Sequence, residues 1–249
     1  MKAKAFALII AMTLFAALGI KAQTSAPTTQ GQIITFDVPG SYGTLPTSIN
    51  PTGEIAGNYY GPTGAGSHGF VRAADGTITT FDAGSYATYP ASINPSGEIA
   101  GSYYNGDTTG YHAFLRAADG AITTFEAGSY TANPTSINPA GDVTGYYFAG
   151  GGPHGLLAHG FLRAADGALT TFDADPPIAG TYSLSINQTG ETTGYFFDAA
   201  NYIAHGFVRA ADGTITTFDA APGGTQPTSI NPSGEIAGTA GGHGFVRKP

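Results

Sequence analysis

Beyond an N-terminal apolar run, hydrophobic and polar residues alternate in short stretches, and no helix-period pattern extends past about ten residues. Four stretches recur in a fixed order. In the first copy they read PTSIN, EIAGNYY, HGFVRA and TITTFD, rich in β-branched and aromatic residues at alternating positions, which predicts four short strands. N-P-S/T-G joins the first two, with Pro at the second turn position and a Gly free to take positive φ, and A-D-G joins the last two. The tripeptide SIN starts at Ser48, Ser92, Ser136, Ser185 and Ser229, spacings of 44, 44, 49 and 44 residues, so the chain holds five units.

Four strands in about 44 residues is the arithmetic of a propeller blade. The units run at about 46–81, 90–125, 134–172, 183–218 and 227–247. The fifth stops at HGFVRKP without its TITTF strand, while an orphan QIITFD stands at residues 32–37. Pairing Ile33–Asp37 beside Gly244–Arg247 would complete the last blade and leave no open sheet edge. The expectation is an all-β, five-bladed β-propeller of four-stranded antiparallel blades, one domain over 32–249, closed by the N-terminal strand. An open β-solenoid is the alternative.

The repeated I-N-P-x-G-x-I/V-x-G followed by H-A/G-F-L/V-R resembles the extracellular HAF repeat of secreted bacterial proteins. All five units from Phe36 to Arg247 carry it, although only His112-Ala113-Phe114 matches the name literally. The resemblance implies a secreted bacterial β-propeller and brings no catalytic residue or ligand with it.

Lys2 and Lys4 precede the apolar run Ala5–Ile20, with small residues near Ala22, the pattern of a secretory signal peptide over 1–22 followed by a flexible mature start over 23–31. Cleavage would leave no membrane span and an extracellular or periplasmic protein. Removing Lys2, Lys4 and Lys21 leaves six basic residues against 17 acidic ones, which disfavours a nucleic-acid partner. With no Cys in the chain, thiolate chemistry and Cys-ligated metal are excluded, and no metal or other cofactor is expected.

The antiparallel order puts both tight turns at one end of each unit and the variable loops at the other. Glu54 and Arg72 meet at the turn end, predicting one cross-strand ion pair per unit, with Glu98–Arg116, Asp142–Arg163, Glu191–Arg209 and Glu235–Arg247 as its copies. Asn50, Asp75 and their copies read as turn formers. At the loop end, the first four units bring together a His, an acidic residue after Phe, and aromatics. The candidate ligand-binding residues are Tyr42, Tyr60, His68, Asp82, Tyr86, Tyr104, His112, Glu126, Tyr130, Tyr147, His159, Tyr182 and His205. Tyr combines a flat apolar face with a polar tip, and a nearby carboxylate accepts hydroxyl hydrogen bonds, a combination that suits glycans. The alternative role for the His set is internal to the blades.

No catalytic residue is assigned. Ser48, His68 and Asp82 supply the residue types of a triad, but in near-identical copies; only Asp107, Asp175 and Asp198 fall outside the repeat among the acids, and His154 among the histidines. The reading is a monomeric, non-catalytic propeller whose partner is a glycan, a cell-surface polymer or another extracellular protein. Its sites would number at most four, because unit five has TAGG in place of aromatics. The alternatives are a secreted hydrolase of polysaccharide or phosphoester using Asp175 or Asp198, and a structural protein–protein module.

Overall fold

The computed structural model describes residues 31–249 apart from 63–65, 109, 129, 153–154 and 175–177, with the side chains of 151–152 and 178–179 also outside the description. The chain divides into Met1–Thr35 and Phe36–Pro249. Of the first unit only 31–35 are described, and none of them is in a strand. The proposed signal peptide, Asp175 and His154 lie outside the described residues.

The second unit is all-β, with 19 strands. The first sheet holds β1 (Gly43–Ile49), β2 (Ile55–Tyr60), β3 (His68–Arg72) and β4 (Ile78–Phe81) in sequence order, every pair antiparallel. The same meander repeats in β5 (Ala87–Ile93), β6 (Ile99–Tyr104), β7 (Tyr111–Arg116) and β8 (Ile122–Phe125). It repeats again in β9 (Ala132–Ile137), β10 (Val143–Gly152), β11 (Gly155–Arg163) and β12 (Leu169–Phe172), and in β13 (Ile178–Ile186), β14 (Thr192–Asp198), β15 (Ala204–Arg209) and β16 (Ile215–Phe218). The fifth sheet has three strands, β17 (Thr225–Ile230), β18 (Ile236–Ala240) and β19 (His243–Arg247). No strand covers 31–38, and the described residues give the fifth sheet three strands. The link between sheets runs from Phe81 to the next SIN strand.

First strands of successive sheets touch one another. Each bulges just before SIN, as between Pro46 and Ser48; in four of the five the bulge follows a Pro, which has no N–H for the ladder, and in the fourth unit it follows Ser183. The bulge turns Thr47 Oγ1 toward the next sheet, where it donates to Pro90 O at 2.9 Å, and Ser48 Oγ accepts from Ile93 N at 3.2 Å. The Phe of H-G/A-F is the core of the first four units: Phe70, Phe114, Phe161 and Phe207 have no exposed surface, while Phe245 of the fifth is half-buried. The Phe ring lies on the second Gly of GEIAG, since a Cβ on Gly57 would stand 2.8 Å from Phe70 and 2.3 Å from Leu45 O. Each core Phe also takes an edge contact from the Phe that ends the unit before, as in Phe81–Phe114 at 6.0 Å. Phe36 makes the same contact with Phe70, at 6.0 Å, and so stands where the last strand of a preceding unit would put its Phe.

Two expectations are corrected at the turn end. No Arg–carboxylate ion pair forms there among the described residues. Arg72 lies opposite Ile55 rather than Glu54, so the guanidinium and the carboxylate leave the sheet on different faces. Arg72 instead sits over the Phe36 ring at 5.0 Å, and Arg116, Arg163, Arg209 and Arg247 sit over Phe81, Phe125, Phe172 and Phe218 at 5.0 to 5.2 Å. Burial lowers the pKa of Arg116 and Arg209 below the ordinary value. The repeated Asn does more than form a turn. Asn94 Oδ1 accepts from Ser96 N and Glu98 N at 3.0 and 2.9 Å, while Nδ2 donates to Glu98 Oε2 at 2.7 Å and to Asn138 O of the next sheet at 3.2 Å. Links of this kind run Asn50, Asn94, Asn138, Asn187, Asn231 through all five sheets.

Candidate functional site

The loop end is assembled from the starts of the third strands and the ends of the second. In β2 and β3 the register sets Tyr59 opposite His68, and their rings stack at 5.2 Å. Tyr103–His112, Tyr147–His159 and Phe196–His205 repeat the stack at 5.1 to 5.3 Å. On the other side of each His is the residue after the fourth strand, fourteen positions along. His68 Nδ1 donates to Asp82 at 2.8 Å, His112 to Glu126 at 2.6 Å, His159 to Asp173 at 2.8 Å and His205 to Asp219 at 2.9 Å. These eight side chains are thus brought together in pairs, one per unit.

Asp107 and Asp198, outside the repeat in sequence, approach the second ring nitrogen of the same histidines: Asp198 Oδ2 is 3.1 Å from His205 Nε2, and Asp107 Oδ2 is 3.5 Å from His112 Nε2. For His205, burial disfavours the imidazolium, but hydrogen bonds to Asp198 and Asp219 outweigh it and raise the pKa above the ordinary value. Asp198 is held below the ordinary carboxylate value chiefly by the backbone N–H of Asn201, with His205 contributing. This second carboxylate could have been anticipated from its place in the loop just before the His. Among the described residues no group of three or more His and carboxylates has the arrangement of a metal site.

The aromatic residues separate into two sets that the sequence reading merged. Tyr147 belongs with the His stack, whereas Tyr60 and Tyr104, the next position along the second strand, face the other way. Tyr42, Tyr60, Tyr86 and Tyr130 are 77, 45, 54 and 44% exposed. Tyr86 meets Tyr104 edge-on at 5.6 Å, and Tyr104 meets Tyr111 at 5.6 Å. Tyr182 is not a loop residue: it lies in β13, stacked on Tyr195 at 5.1 Å, and burial raises the pKa of both hydroxyls. The triad reading is not assembled. Ser48 pairs with Ala56 and His68 with Tyr59, three residues further along β2, which separates them by about 10 Å along the strand.

The chain matches no family model and no curated protein. Among solved structures it is similar to a streptogramin B lyase, with a TM-score of 0.52 and 15% identity over 85% of this chain and 67% of that one. Virginiamycin B lyase from Staphylococcus aureus gives 0.48 and 14% over 81% and 68%, and TolB from Acinetobacter baumannii 0.49 and 11% over 72% and 43%. These neighbours are β-propellers, and at such identities the likeness extends to the fold alone.

Proposed function

We propose that the protein is a secreted, non-catalytic propeller that binds glycans or cell-surface polymers through its loop end. The observation that carries this reading is the exposure of Tyr42, Tyr60, Tyr86 and Tyr130 at one end of the sheets, while the histidines beside them are engaged with carboxylates. Exposed Tyr rings stack on sugar faces and hydrogen-bond their hydroxyls. Repetition on one scaffold adds avidity for a repetitive polymer. The hydrolase reading loses support at Asp198, whose carboxylate is spent on His205 and two backbone amides. Affinity electrophoresis of the full chain through gels carrying neutral polysaccharides tests the proposal. Retardation, reduced about tenfold in the triple variant Tyr42→Ala, Tyr86→Ala, Tyr130→Ala, is expected. Unretarded migration in every gel would overturn it.

The same reading has the five sheets close into a ring. Support comes from the half-seams at the two ends. Val246 of β19 is 65% exposed, Asn231 Nδ2 donates within its own turn to Glu235, and Phe36 already meets Phe70 as the outer strand of a preceding blade would. Closure would also bring Asp37 beside His243, the one repeat His without a partner of this kind. Oxidation of Asp37→Cys, His243→Cys should give an intramolecular disulfide in the monomer; a cross-linked dimer instead would mean that copies exchange their ends.

A further inference from the structure

The seam between the fourth and fifth sheets joins a unit with three large aromatics at its loop end to one with none at the same positions. In the fourth sheet, Tyr182 stacks on Tyr195 and Phe197 stands edge-on to both, at 6.0 and 5.5 Å. The equivalent positions of the fifth sheet hold Gln226, Thr239 and Gly241. Gln226 and Thr239 face each other across β17 and β18 as Tyr182 and Tyr195 do across β13 and β14. The chain then turns back at once: Ala240 pairs with His243, and Gly241 and Gly242 between them have φ of 55° and 84°, the two-residue hairpin that only such residues form readily.

Small residues where large ones would stand leave a pocket of about 490 Å³, within the range of small-molecule sites. Phe197, Tyr202 and Ile203 line one side, Gln226 and Thr239 another. A second pocket of about 520 Å³ shares Ile203, Gly223 and Gly224 with it and extends to His205 and Asp219. The Tyr202 wall is built rather than incidental. Asp198 Oδ1 accepts from Ala200 N and Asn201 N at 2.9 and 2.8 Å, and Asn201 Oδ1 accepts from Ile203 N at 2.9 Å. These bonds hold Tyr202 at φ 57°, a conformation costly for an aromatic residue, with its side chain 54% exposed.

The geometry points to this seam as a subsite for a neutral pyranose, its apolar face against Phe197 and Tyr202 and its hydroxyls on Gln226 and Thr239. A second sugar ring would occupy the adjoining pocket, within reach of Asp219 and His205. No Lys or Arg lines either pocket, so nothing there selects an anionic sugar. The inference rests on the glycan reading and locates a concave site for it, on the one unit where aromatic loss had argued against binding.

The test is calorimetric titration of the full chain with cellohexaose, laminarihexaose, mannohexaose and chitohexaose. One of these should bind, and the double variant Gln226→Tyr, Thr239→Tyr should weaken it at least tenfold, because the pocket is refilled with residues that the fourth sheet already carries at these positions. Phe197→Ala, which opens the pocket instead, should weaken it similarly and guards against a fold defect in the double variant. The triple loop-tyrosine variant should bind the hexaose within about threefold of wild type. Undiminished binding by the double variant would overturn the subsite and leave the broader reading standing. Absence of binding by the wild-type chain to all four hexaoses, alongside retardation by polymers, would likewise remove only the subsite; absence of both would remove both.

Discussion

At the turn end, every unit repeats the same Asn, Gly and Phe-stacked Arg, and hydrogen bonds pass from sheet to sheet. At the loop end, the His–carboxylate pair recurs in four units, but the aromatics, loop lengths and extra carboxylates change with each. The comparison separates what holds the sheets together from what distinguishes them. Stability should concentrate at the first end and ligand contacts at the second.

The largest expected effect is at the turn end. Asn138 is 1% exposed, and Asn138→Ala would remove the acceptor of Asp142 N and Ala140 N and the donor that reaches Asn187 O from the neighbouring sheet. A loss of about 3 kcal/mol is expected in urea unfolding, since each buried orphan costs about 1–3 kcal/mol before relaxation. A loss below about 0.5 kcal/mol would mean that the sheets are not tied by this row. A smaller effect distinguishes the two partners considered for the repeated Arg. A double-mutant cycle between Arg116 and Phe81 should give a coupling of about 1 kcal/mol, and one between Arg116 and Glu98 close to zero.

At the loop end the expected signals are electrostatic and local. His205 lies between two carboxylates and its pKa is raised, so its contribution to stability is fully present below its ordinary value of 6.5 and is lost as pH rises through the raised one. Asp198, with a lowered pKa, contributes above its ordinary 3.8 and loses that contribution as pH falls through the lowered value. The pair therefore supports the Asp198–Ile203 loop most between these limits. Imidazole NMR should show His205 titrating above the ordinary value, and Asp198→Asn should bring its midpoint down; an unchanged midpoint would place the cause elsewhere. The smallest effect belongs to Tyr86→Ala, expected within about 0.5 kcal/mol of wild type in unfolding because the ring is 54% exposed.

Strand order and the tight turns were legible in the sequence because they follow from local chemistry: alternation, Pro and Gly placement, and a repeat that restates each rule five times. The His–carboxylate pairs were legible as a constant spacing. What escaped was whatever depended on register or on a neighbouring unit. A shift of one residue moved Arg72 away from Glu54 and onto Phe36, and separated Tyr147 from Tyr60. The Asn row was invisible for a related reason, since its acceptors lie 44 to 49 residues away. TAGG read as loss of aromatics; only the fold reveals that what it removes leaves a pocket beside Phe197 and Tyr202.

The contrast between the two ends is tested most directly by amide NMR of the full chain titrated with the hexaose that binds best. The account predicts shifts clustered at 198–205, 223–226 and 239–242, with the NPxG and ADG turns unmoved. Shifts concentrated at those turns, or spread evenly over both ends, would contradict it.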